Sequence, residues 1–325
     1  MRRRVLNSLE ELIESGEPNP LLHRVDGLCS ARAWDDLVAL ADRCRVETER
    51  GKQLWPIAEH IEYRLALEAP GAIAASVLGP EAGRFALGPL TEVVASTHRF
   101  EELEPHLSVP QILGALAAER VIRGEDLTDH AGAHPEVMEL PLMLMNWEPE
   151  YPLPVYRSDK ATFPDAPLVQ TKRVRLGDPG DERHLSDPDL ERAMLDLVAP
   201  WVTQSNGDVV FHIVEGSVES AIDGRWLMRI DSSEALAHMA WAAASGGAYG
   251  RRRGGAYGRF AAWWSASELT GLAWPPVPDE LHEAMDEVHW YLWEPEDLKP
   301  GWNLHLAVHD PVDGWTASVS AHDHL

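Results

Sequence analysis

The chain has 325 residues, 45% of them hydrophobic, and a formal net charge of −25. That length is long for one compact core and suggests two domains, and the apolar fraction is ordinary for a globular protein. With 53 Asp and Glu against 28 Lys and Arg, general nucleic-acid binding is excluded, because phosphates require a cationic surface.

No apolar run reaches about 18 residues, so no transmembrane helix is expected. Met1-Arg2-Arg3-Arg4 is basic, but residues 9–16 are acidic and amphipathic, which does not fit a signal peptide. Cys29 and Cys44 are the only cysteines. Two are too few for a disulfide framework or a structural zinc site, and they fit buried thiols on helices in a reducing cytoplasm.

Residues 1–146 read as a helical region. Val5, Leu6, Leu9, Leu12 and Ile13 have helical spacing. Ser30 is placed to cap a helix carrying Trp34, Leu37, Leu40 and Ala41. A longer helix over 53–67 tolerates Pro56 near its first turn and aligns Ile57, Ile61 and Leu65 in one stripe. Another contains Phe85, Leu87, Leu90, Val93 and Val94. A helix over 110–122 is stopped by Gly124, and a further one is expected over 135–144. Helices of this length with short connections suggest an irregular α-solenoid or bundle, and no repeat of fixed period is found.

Residues 147–186 form a Pro-rich connection, with prolines at 149, 152, 154, 164, 167 and 179. Its basic patch Lys172-Arg173-Val174-Arg175 alternates like an exposed edge strand. Residues 187–325 read as an α+β region, a small, largely antiparallel sheet with helices on one face. Asp187 and Pro188 open a helix to about Val198. Strands are expected over 209–214 and 226–230, and Pro278-Asp279 opens a helix to about Val288. Trp302, Leu304, Leu306 and Val308 alternate with polar residues, as do Trp315, Ala317, Val319 and Ala321. With a turn over 311–314, these make a hairpin. Ten of the 13 tryptophans lie between 201 and 315, which points to a large aromatic core.

Between the two halves of this region lies a Gly/Arg-rich segment that follows a helix opened by a capping box, Asp231 to Glu234. The octapeptide beginning at Gly246 recurs at Gly254, and small residues stand at Gly246, Gly250, Gly254 and Gly258. Each helical glycine costs roughly 0.8–1 kcal/mol relative to alanine. The favoured reading is a helix that continues through, with the glycine column packed closely on another element. The alternative is a break at residues 245–247 and a second helix starting near Ala248, with arginines in its first turn. Cations are unfavourable at that end of a helix unless an anion sits on the free amides. Arg251, Arg252, Arg253 and Arg259 would then clamp a phosphate or carboxylate, aided by Tyr249 and Tyr257. The plainer reading is solvated arginines paired with carboxylates, each pair worth under about 1 kcal/mol.

Three weaker clusters remain. His305 and His309 share a strand face but stand about 13 Å apart at roughly 3.3 Å per residue, too far for one metal. The tail His322-Asp323-His324 suits adventitious metal binding, although chain ends are usually loose. On the helix over 53–67, Glu59 and Glu62 share one face and His60 and Arg64 another; with Glu92 from a neighbouring helix they would form a polar cluster, whose plainer reading is structural ion pairing. No dinucleotide, P-loop, HExxH, CxxC or GxSxG motif occurs. No cofactor and no metal are expected.

Residues 84–92, Arg-Phe-Ala-Leu-Gly-Pro-Leu-Thr-Glu, and residues 245–264 resemble an uncharacterised family of hypothetical proteins from high-GC Gram-positive bacteria. The resemblance covers most of the chain. It implies a bacterial cytoplasmic protein and carries over no activity and no catalytic residue.

The leading expectation is a non-enzymatic acidic interaction protein that binds a basic protein partner, a class that includes a toxin for which this chain would be the antidote. The alternative is an enzyme or sensor binding a small anion at the arginines of the 251–259 segment.

Overall fold

The computed structural model describes residues 9–79, 86–177 and 183–324. The chain divides into two compact units, Met1–Leu116 with Val155–Thr162, and Ala117–Pro154 with Phe163–Leu325.

The first unit is built from helices α1 (Leu9–Ser15), α2 (Pro18–Ser30), α3 (Trp34–Glu49), α4 (Trp55–Glu68), α5 (Gly71–Ser76), α6 (Leu90–Ala95), α7 (Phe100–Leu103) and the start of α8 (Pro110–Val121). A two-stranded hairpin, β1 (Val155–Tyr156) and β2 (Ala161–Thr162), completes it. The helical stripes are real: Leu21, Val25 and Leu28 are buried on α2, and Leu37, Leu40, Ala41 and Cys44 on α3. On α4 the Ile57, Ile61, Leu65 stripe is joined by buried Ala58, Tyr63 and Ala66, so this helix is covered on several sides. Each fully buried aliphatic side chain stabilises the fold by roughly 1.5–3 kcal/mol.

Several boundaries differ from expectation. Ser30 ends α2 and does not cap α3, whose N-cap is Ala33. Gly88 and Pro89 delay α6 to Leu90, which leaves Leu87 outside the helix and 44% exposed. Residues Val5, Leu6, Arg84, Phe85 and Pro179 lie outside the described residues. The expected helix over 135–144, in the second unit, is only one 3-10 turn, Pro135–Val137, because His134 and Glu139 on either side take left-handed backbone angles. The polar cluster on α4 is divided. Arg64 pairs with Asp26 and Glu68, Glu62 accepts from Arg45, and buried Glu92 accepts from the Tyr156 hydroxyl.

The second unit is α+β. Its seven-stranded antiparallel sheet comprises β3 (Val174–Arg175), β4 (Arg183–His184), β5 (Asp208–Glu215), β6 (Trp226–Ile230), β7 (His289–Glu294), β8 (Gly301–Asp310) and β9 (Trp315–His324), in the order β3-β6-β7-β8-β9-β5-β4. The basic patch is indeed an edge strand, β3. In the β8–β9 hairpin, Leu304 pairs with Ala321, Leu306 with Val319 and Val308 with Ala317. These residues are almost fully buried. Helices α9 (Pro188–Asp196), α10 (Ala199–Thr203), α12 (Ser232–Ala244), α13 (Gly255–Leu269) and α14 (Pro278–Glu287) belong to the same unit. Leu190, Met194, Leu236, Met239, Trp263, Leu281 and Met285 from four of them join that sheet face in one core. The one-turn α11 (Val218–Ala221) packs on the opposite face against Trp293 and Ala307. Eight of the tryptophans line this core or pack against it: Trp241 stacks on Trp302 at 5.2 Å, and Trp201 meets both edge-on.

The capping box at Asp231 and Glu234 forms as expected. The continuous helix through 246–258 does not. α12 stops at Ala244 and α13 starts at Gly255, after Gly254 at φ 101°, which an L side chain rarely adopts. The two helices still meet closely at one member of the glycine column. A Cβ on Gly258 would lie 2.4 Å from the Ala240 carbonyl oxygen and 2.9 Å from the Ala244 Cβ. On helix propensity alone, Gly258→Ala should gain about 1 kcal/mol. The close crossing reverses the sign: the variant should lose about 1–3 kcal/mol by overpacking. Urea unfolding followed by tryptophan fluorescence checks this, and a more stable variant would refute the close crossing.

Candidate functional site

The Gly/Arg segment is a loop leading into α13, and internal acceptors hold several of its amides and the guanidiniums of Arg253 and Arg259. Asp323 is fully buried on β9. Its Oδ2 accepts from the Ala248 amide at 2.6 Å, and its Oδ1 accepts from the Ser205 hydroxyl at 2.9 Å. Ser205 Oγ accepts from the Tyr249 amide, and Gln204 Oε1 from the Arg251 amide. At the start of α13, the Ala256 amide donates to Glu119 Oε1 at 2.8 Å. Glu119, 2% exposed, also pairs with Arg123. An anion at the positive end of a helix is what the dipole favours, and here the chain supplies it.

The four arginines occupy separate environments. Arg259 is fully buried on α13. It donates from Nε and Nη2 to both oxygens of Glu148 at 2.7 Å, and further to the carbonyls of Pro141 and Met143. Glu148 also accepts from the Trp263 indole, the Tyr151 hydroxyl and the Met145 amide. Burial by itself would lower the Arg259 pKa, but the Glu148 carboxylate outweighs it and raises the value above the ordinary one. Burial, reinforced by the Glu148 charge, pushes the Tyr151 hydroxyl well up.

Arg253 donates to the Asp196 carbonyl at 2.9 Å and faces its carboxylate at 3.3 Å. Its guanidinium lies 3.4 Å from the Tyr257 ring centroid, and Tyr257 donates to the same carboxylate. Burial lowers the Arg253 pKa against the opposing pull of Asp196. Arg252 lies over the Phe163 ring at 5.5 Å. Arg251 and Tyr249 are exposed, Tyr249 by 64%. The carboxylates that organise this segment, Glu119, Glu148, Asp196 and Asp323, come from distant parts of the sequence, so local patterning did not single them out.

A different surface of the same unit concentrates carboxylates that no lysine or arginine pairs among the described residues. Helix α14 borders two cavities. The first, about 620 Å³, has Leu190, Ile213, Leu269, Val288 and Trp315 among its apolar lining and carries Asp187, Glu268, Glu287, Asp310 and Asp313. The second, about 680 Å³, carries Asp231, Asp279, Glu283 and Asp286 beside Trp147 and His282. Neither is lined by a lysine or arginine. Asp187 and Asp310 are oriented by accepting two backbone amides each. The sequence did carry a signal for this surface, the five acids of α14 (PDELHEAMDE) around buried Leu281 and Met285. Sequence spacing does not reveal the cavities.

The sheet face opposite the main core is rich in histidine. His305 is half-buried: its Nδ1 meets Ser320 Oγ at 3.0 Å, while its Nε2 is buried and has no hydrogen-bond partner. Burial, with His322 nearby, pushes its pKa down to about 4. His309 Nδ1 donates to the Trp315 carbonyl and is not purely solvent-facing. The His322-Asp323-His324 tail is not loose. It pairs with Asn303, Trp302 and Gly301 of β8 and is anchored through Asp323. Among the described residues, no helix is long and apolar enough to cross a membrane.

The chain belongs to a family of unknown function, DUF6183, whose model matches residues 19–323. No curated protein and no solved structure matches it.

Two outcomes are expected. Arg259→Met leaves Glu148 buried without its cation and should cost about 3–5 kcal/mol. At roughly 2–4 °C per kcal/mol, the melting midpoint should fall by at least about 6 °C. Adding Glu148→Gln should recover part of that loss, because no lone buried charge remains. Calorimetry of the single and double variants checks both statements. The second outcome concerns pH. Burial also lowers the pKa of His238. Both His238 and His305 therefore stay neutral in the fold after the unfolded chain has begun to bind protons. Their contribution is intact above about pH 6.5 and is lost as pH falls toward their folded pKa values. Urea unfolding from pH 7.5 to 4.5 should show falling stability, with a shallower slope in His238→Gln. An identical slope would remove His238 from the explanation.

Proposed function

We propose that this protein is a non-enzymatic interaction protein that binds a basic protein partner through the acidic surface built on α14. The supporting observation is the pair of cavities flanking that helix, lined by nine carboxylates and no lysine or arginine. Among the described residues, no cation pairs with Asp279, Glu283, Glu287 or Asp313, so a partner's ammonium or guanidinium groups would meet carboxylates that need not first be released. The apolar lining and the Trp315 ring suit the aliphatic stem of a lysine or arginine. A net charge of −25 would also steer a basic partner toward the chain and speed encounter.

The anion-binding alternative draws less support. Two of its four arginines, Arg253 and Arg259, and the Ala248 and Ala256 amides are engaged by Asp196, Glu148, Asp323 and Glu119. A reducing bacterial cytoplasm suits the reading, since Cys29 and Cys44 are buried, unpaired thiols whose pKa burial raises to about 11.

The test is calorimetric titration of a lysine-rich peptide into the full chain at about 20 mM and about 300 mM salt, where screening lengths differ severalfold. Binding should appear at low salt and weaken at high salt. The variant Glu283→Lys/Glu287→Lys should bind at least about tenfold more weakly, a change of about 1.4 kcal/mol. The control Glu49→Lys/Asp159→Lys makes the same change in net charge within the first unit and should have little effect. Absence of low-salt binding would sink the reading. Equal losses in the two variants would mean that overall charge, not α14, attracts the peptide.

A further inference from the structure

We propose that His322 and His324 form a two-imidazole site for a borderline divalent transition-metal ion of the zinc, nickel or copper class. The site lies at the end of β9 and is independent of the α14 surface. Residues two apart on a strand project from the same face, and here their rings approach closely. His322 Nε2 and His324 Nδ1 are 3.1 Å apart, with ring centroids at 4.5 Å and planes at 90°. One ion at about 2.1 Å from each nitrogen would subtend an N–metal–N angle of about 95°, a normal cis arrangement for such metals.

The tautomer of His322 follows from its neighbours. Asn303 Nδ2 donates to the carbonyls of Lys299 and Gly301 at 3.2 and 3.1 Å. That turns Asn303 Oδ1 toward His322 Nδ1, 2.9 Å away, which must donate to it. The His322 Nε2 lone pair therefore points at His324. On the far side of His324, Nε2 lies 3.9 Å from Asp208 Oδ2. His322 thus has an oxygen acceptor behind the nitrogen that would not bind metal, the arrangement that orients ligating histidines and raises their basicity, while Asp208 stands beyond hydrogen-bond distance behind His324. Without metal, the proton on His324 Nδ1 bridges the two rings. Metal binding at Nδ1 shifts that proton to His324 Nε2, so a neutral His324 takes the ion with no net proton release.

Among the described residues no three His, Cys, Asp or Glu side chains converge on one point, so the chain supplies two donors and solvent completes the coordination. The His322 side chain is buried and that of His324 is 46% exposed, which gives the ion access. The cross-strand pairs on this face, His289 with His309 and His184 with His212, hold their centroids 6.2 Å apart and lack this convergence.

The experiment titrates Zn²⁺ into the full chain by calorimetry and records the electron paramagnetic resonance spectrum with one equivalent of Cu²⁺. One Zn²⁺ per chain and a two-nitrogen copper signature are expected. His324→Ala, at an exposed position, should keep the wild-type circular dichroism, lose one nitrogen from the signature and bind Zn²⁺ at least about tenfold more weakly. Asn303→Ala keeps both ligands and should weaken binding about 10–100-fold. No Zn²⁺ uptake by the wild type, or uptake and a copper signature unchanged in His324→Ala, would overturn the site.

Discussion

The second unit depends on one buried ion pair. Arg259 and Glu148 are both removed from water, and their desolvation is costly unless every donor and acceptor is used. The structure meets that condition. Glu148 collects the guanidinium fork, an indole, a phenol and an amide, and Arg259 also reaches two carbonyls of the segment before Glu148. The pair thereby pins the irregular chain around residues 141–151 to α13, where few backbone hydrogen bonds would otherwise hold it. Replacing either partner alone leaves an uncompensated charge in a core of alanine, leucine and tryptophan.

The same economy governs the loop between α12 and α13. Four glycines let the backbone turn tightly, and the amides exposed by the turn are answered by Asp323, Ser205 and Gln204. Arg253 closes the loop through Asp196, and its own amide donates to the last carbonyl of α12. Arg253 and Arg259 are in this way neutralised within the fold. The carboxylates around α14 have no comparable counterions, so the outward character of this unit is acidic.

What was legible in the sequence follows the range of the interactions involved. The β8–β9 hairpin, β6, α9 and the Asp231 capping box depend on alternation or on residues a few positions apart, and they stand where expected. Strand β7 was missed because His-Trp-Tyr-Leu-Trp-Glu offers no polar–apolar alternation; aromatic side chains occupy both faces. The continuous helix was wrongly favoured for a similar reason. Glycine spacing indicates a close approach, which Gly258 makes against Ala240. The backbone angle at Gly254 and the reach of Asp323 across 75 residues are set by tertiary contacts. The places of Arg253 and Arg259 are equally hidden, since their partner carboxylates, Asp196 and Glu148, are remote in sequence.

Hydrogen–deuterium exchange of the full chain with a lysine-rich peptide, and separately with inorganic phosphate, distinguishes the acidic surface from the arginine segment. The peptide should protect α14, the turn over 310–315 and residues 268–271, and phosphate should leave residues 246–259 unchanged. Protection of residues 246–259 by phosphate, with no effect of the peptide on α14, would refute binding at the acidic surface and return the arginine segment to the centre of function.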